Sequence, residues 1–229
     1  MVNSSSPSVT AVDLAERLRE RREKEPVGNV LLEAAAKGRV TEESLRRLIG
    51  TEAHCHTAEL VAYGTALARF PHRPAADLFI QLARLVYDAQ PKLQACARAL
   101  GMEGDVLADR WPTEHAAYAF NGTISWLASQ GAQAAFALAS YTDMQVYFSG
   151  CVEAMRRVRE SPLDVPRELL DYYDDEAPDA LTRLALDVVQ DGLDRGDDPE
   201  DAVFCARLME ESIGHFWRAA AGTPEGSDV

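Results

Sequence analysis

The chain has 229 residues, 47% hydrophobic and 26% charged, which is enough apolar material for one globular domain with a sizeable core. Its formal charge of −14 repels phosphate backbones and anionic bilayers, so neither nucleic acid nor a membrane is an expected partner. The four cysteines (Cys55, Cys96, Cys151 and Cys205) form no Cys-x-x-Cys pair, no apolar run approaches the roughly 18 residues of a membrane span, and no signal peptide opens the sequence, so a reduced, cytoplasmic protein is expected.

Residues 1–9 are polar and expected to be disordered, with a single all-α domain over 10–221 and a disordered tail over 222–229. Thr10 to Lys24 reads as a short helix broken by Pro26 and Gly28, and Asn29 to Lys37 as a second helix closed by Gly38. Thr41 caps a long helix that ends at Phe70, before Pro71 and Pro74. Ala75 to Ala89 follows, with Pro91 kinking or restarting it and Gly101 closing the continuation. After a linker, Thr113 caps a helix over Glu114 to Gln130, and Ala132 to Arg159 is long and strongly helical. Pro166 opens a short acidic segment, ELLDYYDDEA. Pro178 starts a helix to Arg195, and Asp198-Pro199-Glu200-Asp201 starts the last one, to about Ala221. No stretch shows sustained two-residue alternation, so the expectation is an all-α domain of about eight helices.

The chemistry concentrates on three helices. In Leu45 to Phe70 the apolar residues Leu45, Leu48, Ile49, Tyr63, Leu67 and Phe70 share one stripe, and Glu52, His56 and Glu59 fall on it too, with Cys55 beside it. Burying an unpartnered polar group costs about 2–7 kcal/mol, so this stripe predicts either exposure to water or a polar pocket. On the long helix Asp143 is again a carboxylate on an apolar face, one turn before Tyr147. On the last helix Glu211 and His215 stand four apart, Glu210 is expected to face solvent, and Phe216 and Trp217 read as core. His54 and His56 are two apart on a helix and cannot easily share an ion, and no Glu-x-x-His pair, Gly-x-Ser-x-Gly motif or phosphate-cradling glycine loop occurs.

Over roughly residues 27–221 the order of segments resembles the TenA (thiaminase II) family and its PqqC-like relatives of the haem-oxygenase-like fold. The likeness rests on Gly38-Arg-Val-Thr41, on Ala117-Tyr118 and the residues to Gly131, on Asp143-Met-Gln-Val-Tyr147, and on His215-Phe216-Trp217. By this resemblance the family's pyrimidine-binding Asp falls on Glu52, a pocket Tyr on Cys55, and the nucleophilic Cys on Asp143, or on Thr142 if the register slips. The following Tyr is kept as Tyr147, and the last-helix Glu falls near Ile213, with Glu211 half a turn away. Without the cysteine, thiaminase activity is not expected. Relatives with this fold also include non-haem diiron oxidases, but VYDAQPKLQACARALG has no histidine and the last helix has only His215.

The residues together predict a cytoplasmic enzyme without metal or other cofactor, acting on an amine-bearing small molecule by general acid–base chemistry. Glu52, Asp143 and His56 are the expected catalytic residues, and Glu59, Tyr63, Tyr118, Tyr147, Glu211 and His215 the expected binding residues. The alternatives are a non-catalytic binding or partner subunit and a diiron oxidase. The resemblance implies a homodimer or homotetramer.

Overall fold

A computed structural model describes residues 9–174 and 177–222. Residues 1–8 and 223–229, which hold nearly all of the ends expected to be disordered, lie outside the described residues, as do 175 and 176 in the acidic segment.

Among the described residues every regular element is helical. The α-helices in chain order are α1 (Ala11–Lys24), α2 (Val30–Ala36), α3 (Glu42–Arg69), α4 (Ala75–Ala99), α5 (Ala119–Gln130), α6 (Gln133–Arg159), α7 (Arg167–Tyr172), α8 (Asp179–Asp194) and α9 (Pro199–Ala221), with a 3-10 turn at His115–Tyr118 before α5. The starts follow from local chemistry. The side chains of Thr10, Asn29, Thr41 and Asp198 accept hydrogen bonds from the first free N–H groups of α1, α2, α3 and α9. Gly222 ends α9 at φ 70°, a conformation that glycine adopts without the Cβ penalty.

Two elements differ from the sequence expectation. Pro91 neither breaks nor restarts a helix, because α4 runs through it. Proline at this point leaves the Tyr87 carbonyl without its helical N–H partner. Tyr87 and Pro91 both face water, however, and Leu82, Val86, Leu93 and Cys96 keep one apolar stripe buried on either side of Pro91. The helix expected from Glu114 instead opens with the 3-10 turn, and α5 proper begins at Ala119. Tyr118 is tied down there, with its hydroxyl donating to the Arg110 carbonyl at 2.7 Å.

The core forms where α3 and α6 are enclosed. α3 packs on α4, α5 and α9, while α6 packs on α8, α9 and α2. As a result α3 is more than amphipathic, and every residue from Leu48 to His56 is buried. Phe79, Phe136 and Tyr63 stack between α3, α4 and α6, with ring centroids 5.1–6.4 Å apart. α6 and α9 approach closely at Gly150, where an added Cβ would lie 2.8 Å from the Trp217 ring. No described helix is long and apolar enough to cross a membrane.

Candidate functional site

The two-sided burial of α3 and α6 has a chemical consequence. On α3, Glu52, His56, Glu59 and Tyr63 follow one another at helical spacing and so share one face. On α6, Asp143, Tyr147 and Cys151 are four apart and do the same. These two faces meet across a cavity of about 170 Å³. Leu82, Leu85 and Val86 of α4 supply an apolar wall, and Tyr172 and Tyr173 at the end of α7 supply another. Exposed Asp88 and Lys92 also contribute to the lining, from the solvent-facing part of α4. A smaller recess of about 30 Å³ shares Glu52, Glu59, Asp143 and Tyr147 with the cavity and is otherwise lined by Cys55, Phe120, Ile213 and Phe216. An apolar cavity of about 150 Å³ is known to take benzene, so the larger space suits a single-ring molecule.

The polar contacts are few. His56 Nε2 lies 3.3 Å from Glu52 Oε1 and 3.1 Å from the Tyr172 hydroxyl, and that hydroxyl is 3.5 Å from the same Glu52 oxygen. Tyr63 donates to Glu59 Oε1 at 3.2 Å. Glu52 Oε2, His56 Nδ1 and the hydroxyls of Tyr147 and Tyr173 are shut off from solvent and have no hydrogen-bond partner. Tyr147 is held by aromatic contact, stacked on Trp217 at 5.9 Å and edge-on to Phe216 at 5.5 Å.

Three carboxylates thus share an interior with no arginine or lysine among its buried lining. Burial, and then the charge of Glu52, pushes the Asp143 carboxyl up to about 7. Glu59 is held well above the usual carboxylate range by burial and by repulsion from Asp143 and Glu52, with the Tyr63 hydrogen bond opposing. Burial raises the hydroxyls of Tyr63, Tyr147, Tyr172 and Tyr173, so they stand as neutral donors. The Cys151 and Cys55 thiols are raised by burial and by the same carboxylates, so neither is an activated thiolate.

The structure therefore brings Glu52, His56, Glu59, Tyr63, Asp143 and Tyr147 together. It does not bring in the other three expected residues. Tyr118 stacks on His54 at 4.5 Å on a different side of α3, because the helix turns residues 54 and 56 in different directions. Glu211 is exposed and pairs with Arg207 at 3.3 Å. His215 is half-buried, with its ring edge-on to His115 at 6.5 Å. Glu210 reverses its expectation. It is fully buried between Arg22 (3.4 Å) and Arg207 (2.8 Å), because α1 packs over that face of α9. Sequence reasoning missed Tyr172 and Tyr173. The only signal for them was the spacing of Leu169, Tyr172 and Tyr173 within an otherwise charged segment.

Among the described residues no group of three or more His, Cys, Asp or Glu side chains is arranged to hold a metal ion.

No family model and no curated protein matches the chain in sequence. Solved structures do match in shape. A TenA homologue from Pyrococcus furiosus superposes with a TM-score of 0.65 at 16% identity, over 90% of this chain and 99% of that one. A protein described as a TenA-like thiaminase, from Sulfolobus solfataricus, gives 0.61 at 17% identity, over 91% and 95%. The chain has the TenA-like fold. At these identities the likeness is one of architecture.

Proposed function

We propose that the chain is a small-molecule enzyme that binds an amine-bearing, single-ring molecule in the acidic cavity and moves protons on it. The observation that supports this is the convergence of Glu52, Glu59 and Asp143 on a ring-sized space whose buried lining offers no cation. A ligand ammonium or amidinium supplies the missing positive charge and donates hydrogen bonds to the carboxylates. The same environment divides their labour. A carboxyl raised toward neutrality, as Asp143 is, can give or take a proton at working pH, while Glu52 backs His56 as the basic partner. Tyr63 and Tyr147 orient the ring. The reaction class is elimination, cyclisation or C–N bond chemistry without a covalent enzyme intermediate, since the nearby thiols are held protonated.

The test is incubation of the protein with a mixture of small-molecule metabolites, read by mass spectrometry against Glu52→Gln and Asp143→Asn. A compound consumed by the wild type and spared by either variant supports the assignment, and turnover intact in both variants would overturn it. The absence of an activated nucleophile also favours a second reading, a binding subunit without turnover. That reading predicts that ligands raise the melting temperature while no compound in the mixture is consumed.

A further inference from the structure

Within the cavity Tyr172, Glu52 and His56 form a closed triangle, with separations of 3.1 Å (hydroxyl to Nε2), 3.3 Å (Nε2 to Oε1) and 3.5 Å (hydroxyl to Oε1). Only certain placements of hydrogen satisfy it. If Nε2 carried no proton, it and the Glu52 oxygen would be two acceptors 3.3 Å apart, and the one hydroxyl proton of Tyr172 would have to serve both. If Nε2 carries a proton, it can donate to the phenol oxygen at 3.1 Å while the phenol O–H turns to the carboxylate at 3.5 Å, and the 3.3 Å edge becomes an attractive contact between an N–H and a carboxylate. The hydroxyl keeps that proton because burial raises its pKa well above the usual value for tyrosine.

The other ring nitrogen completes the argument. Nδ1 is buried with no partner in the protein. A proton there would be an orphaned buried N–H, the rarest kind of unsatisfied group, whereas a bare acceptor is tolerated more easily. His56 lines the cavity. Resting on the acid–base reading of this cavity, we propose that Tyr172 is a positioning residue that, with Glu52, locks His56 as the Nε2–H form and leaves Nδ1 as the acceptor offered to the bound molecule. The step it prepares is balanced. An acidic hydrogen of the ligand passes to Nδ1 while its bonding electron pair stays on the ligand. The resulting imidazolium then faces the Glu52 carboxylate across the 3.3 Å contact.

The experiment is nitrogen-15 NMR of histidine-labelled, ligand-free protein near neutral pH, with the His56 signals assigned from their loss in His56→Gln. The expected spectrum has one protonated nitrogen, Nε2, and one bare nitrogen, Nδ1. Tyr172→Phe should move both signals toward the averaged positions of mixed tautomers. Tyr173→Phe, which removes an adjacent cavity-lining hydroxyl without a partner, should leave them in place. A protonated Nδ1 in the wild type, no movement in Tyr172→Phe, or equal movement in Tyr173→Phe would each overturn the proposal. No ligand is needed, so these outcomes are separate from whether the cavity binds amines.

Discussion

Replacing Asp143 with Asn should stabilise the protein above neutral pH and progressively less below it. Asp143 titrates near 7 in the folded chain against 3.8 for an unperturbed carboxyl. Between those values the folded state holds a proton that the unfolded state has released, so stability falls as pH rises. The loss accrues from about pH 4 and is complete above about pH 7. Each unit of difference corresponds to about 1.4 kcal/mol, so the interval from pH 5 to pH 7 accounts for roughly 2–3 kcal/mol. Relief of Glu59, which Asp143 repels, adds in the same direction. The asparagine amide needs partners of its own, a cost of about 1–3 kcal/mol that does not depend on pH. The decisive quantity is therefore the difference between the two proteins at pH 8 minus their difference at pH 5, measured by urea unfolding with matched slopes. A shift of about 2–3 kcal/mol in favour of Asp143→Asn is expected. A difference that stays constant across this range would refute a raised Asp143 carboxyl.

Glu210→Ala removes the acid between Arg22 and Arg207 and should cost about 3–5 kcal/mol, the loss typical of breaking a buried ion pair, read as a lower urea midpoint. Gly150→Ala drives a methyl into Trp217 and should cost about 1–3 kcal/mol with a change in tryptophan fluorescence, whereas an unchanged melting curve would show that α6 and α9 are looser there. Phe136→Ala empties a fully buried ring site between Tyr63 and Phe79 and should cost about 3–5 kcal/mol. Anaerobic incubation with Fe(II) should leave well under one iron per chain, because the carboxylates and His56 are not set to share an ion. Near-stoichiometric iron with oxygen-dependent colour would favour a diiron oxidase instead.

What the sequence discloses is set by periodicity. The Thr41 cap, the Asp198-Pro199-Glu200-Asp201 start and the long apolar stripes of α3 and α6 are local facts, and they put Glu52, His56, Glu59, Asp143 and Tyr147 on inward faces. Where the expectation missed, a tertiary contact decided. Glu210 and Glu211 are adjacent and differ by about 100° on the helix, so only the packing of α1 determines which is buried. Tyr118 is claimed by the Arg110 carbonyl and the His54 ring, and Phe120, two residues on, lines the recess in its place. Tyr172 ends a six-residue helix with one fully buried side chain, Leu169, too short for any period to stand out, and Tyr173 is its C-cap.

The central claim is that the cavity selects positive charge on a small ring. The direct measurement is the melting shift of the protein with matched pairs of single-ring compounds, one bearing an amine or amidine and the other a neutral group of the same size. The amine members should stabilise the wild type, by about 2.7 kcal/mol at a hundredfold excess over Kd, with a smaller gain in Glu59→Gln and Asp143→Asn and none from their neutral partners. Equal stabilisation by both members of each pair, or gains untouched by the two substitutions, would contradict it.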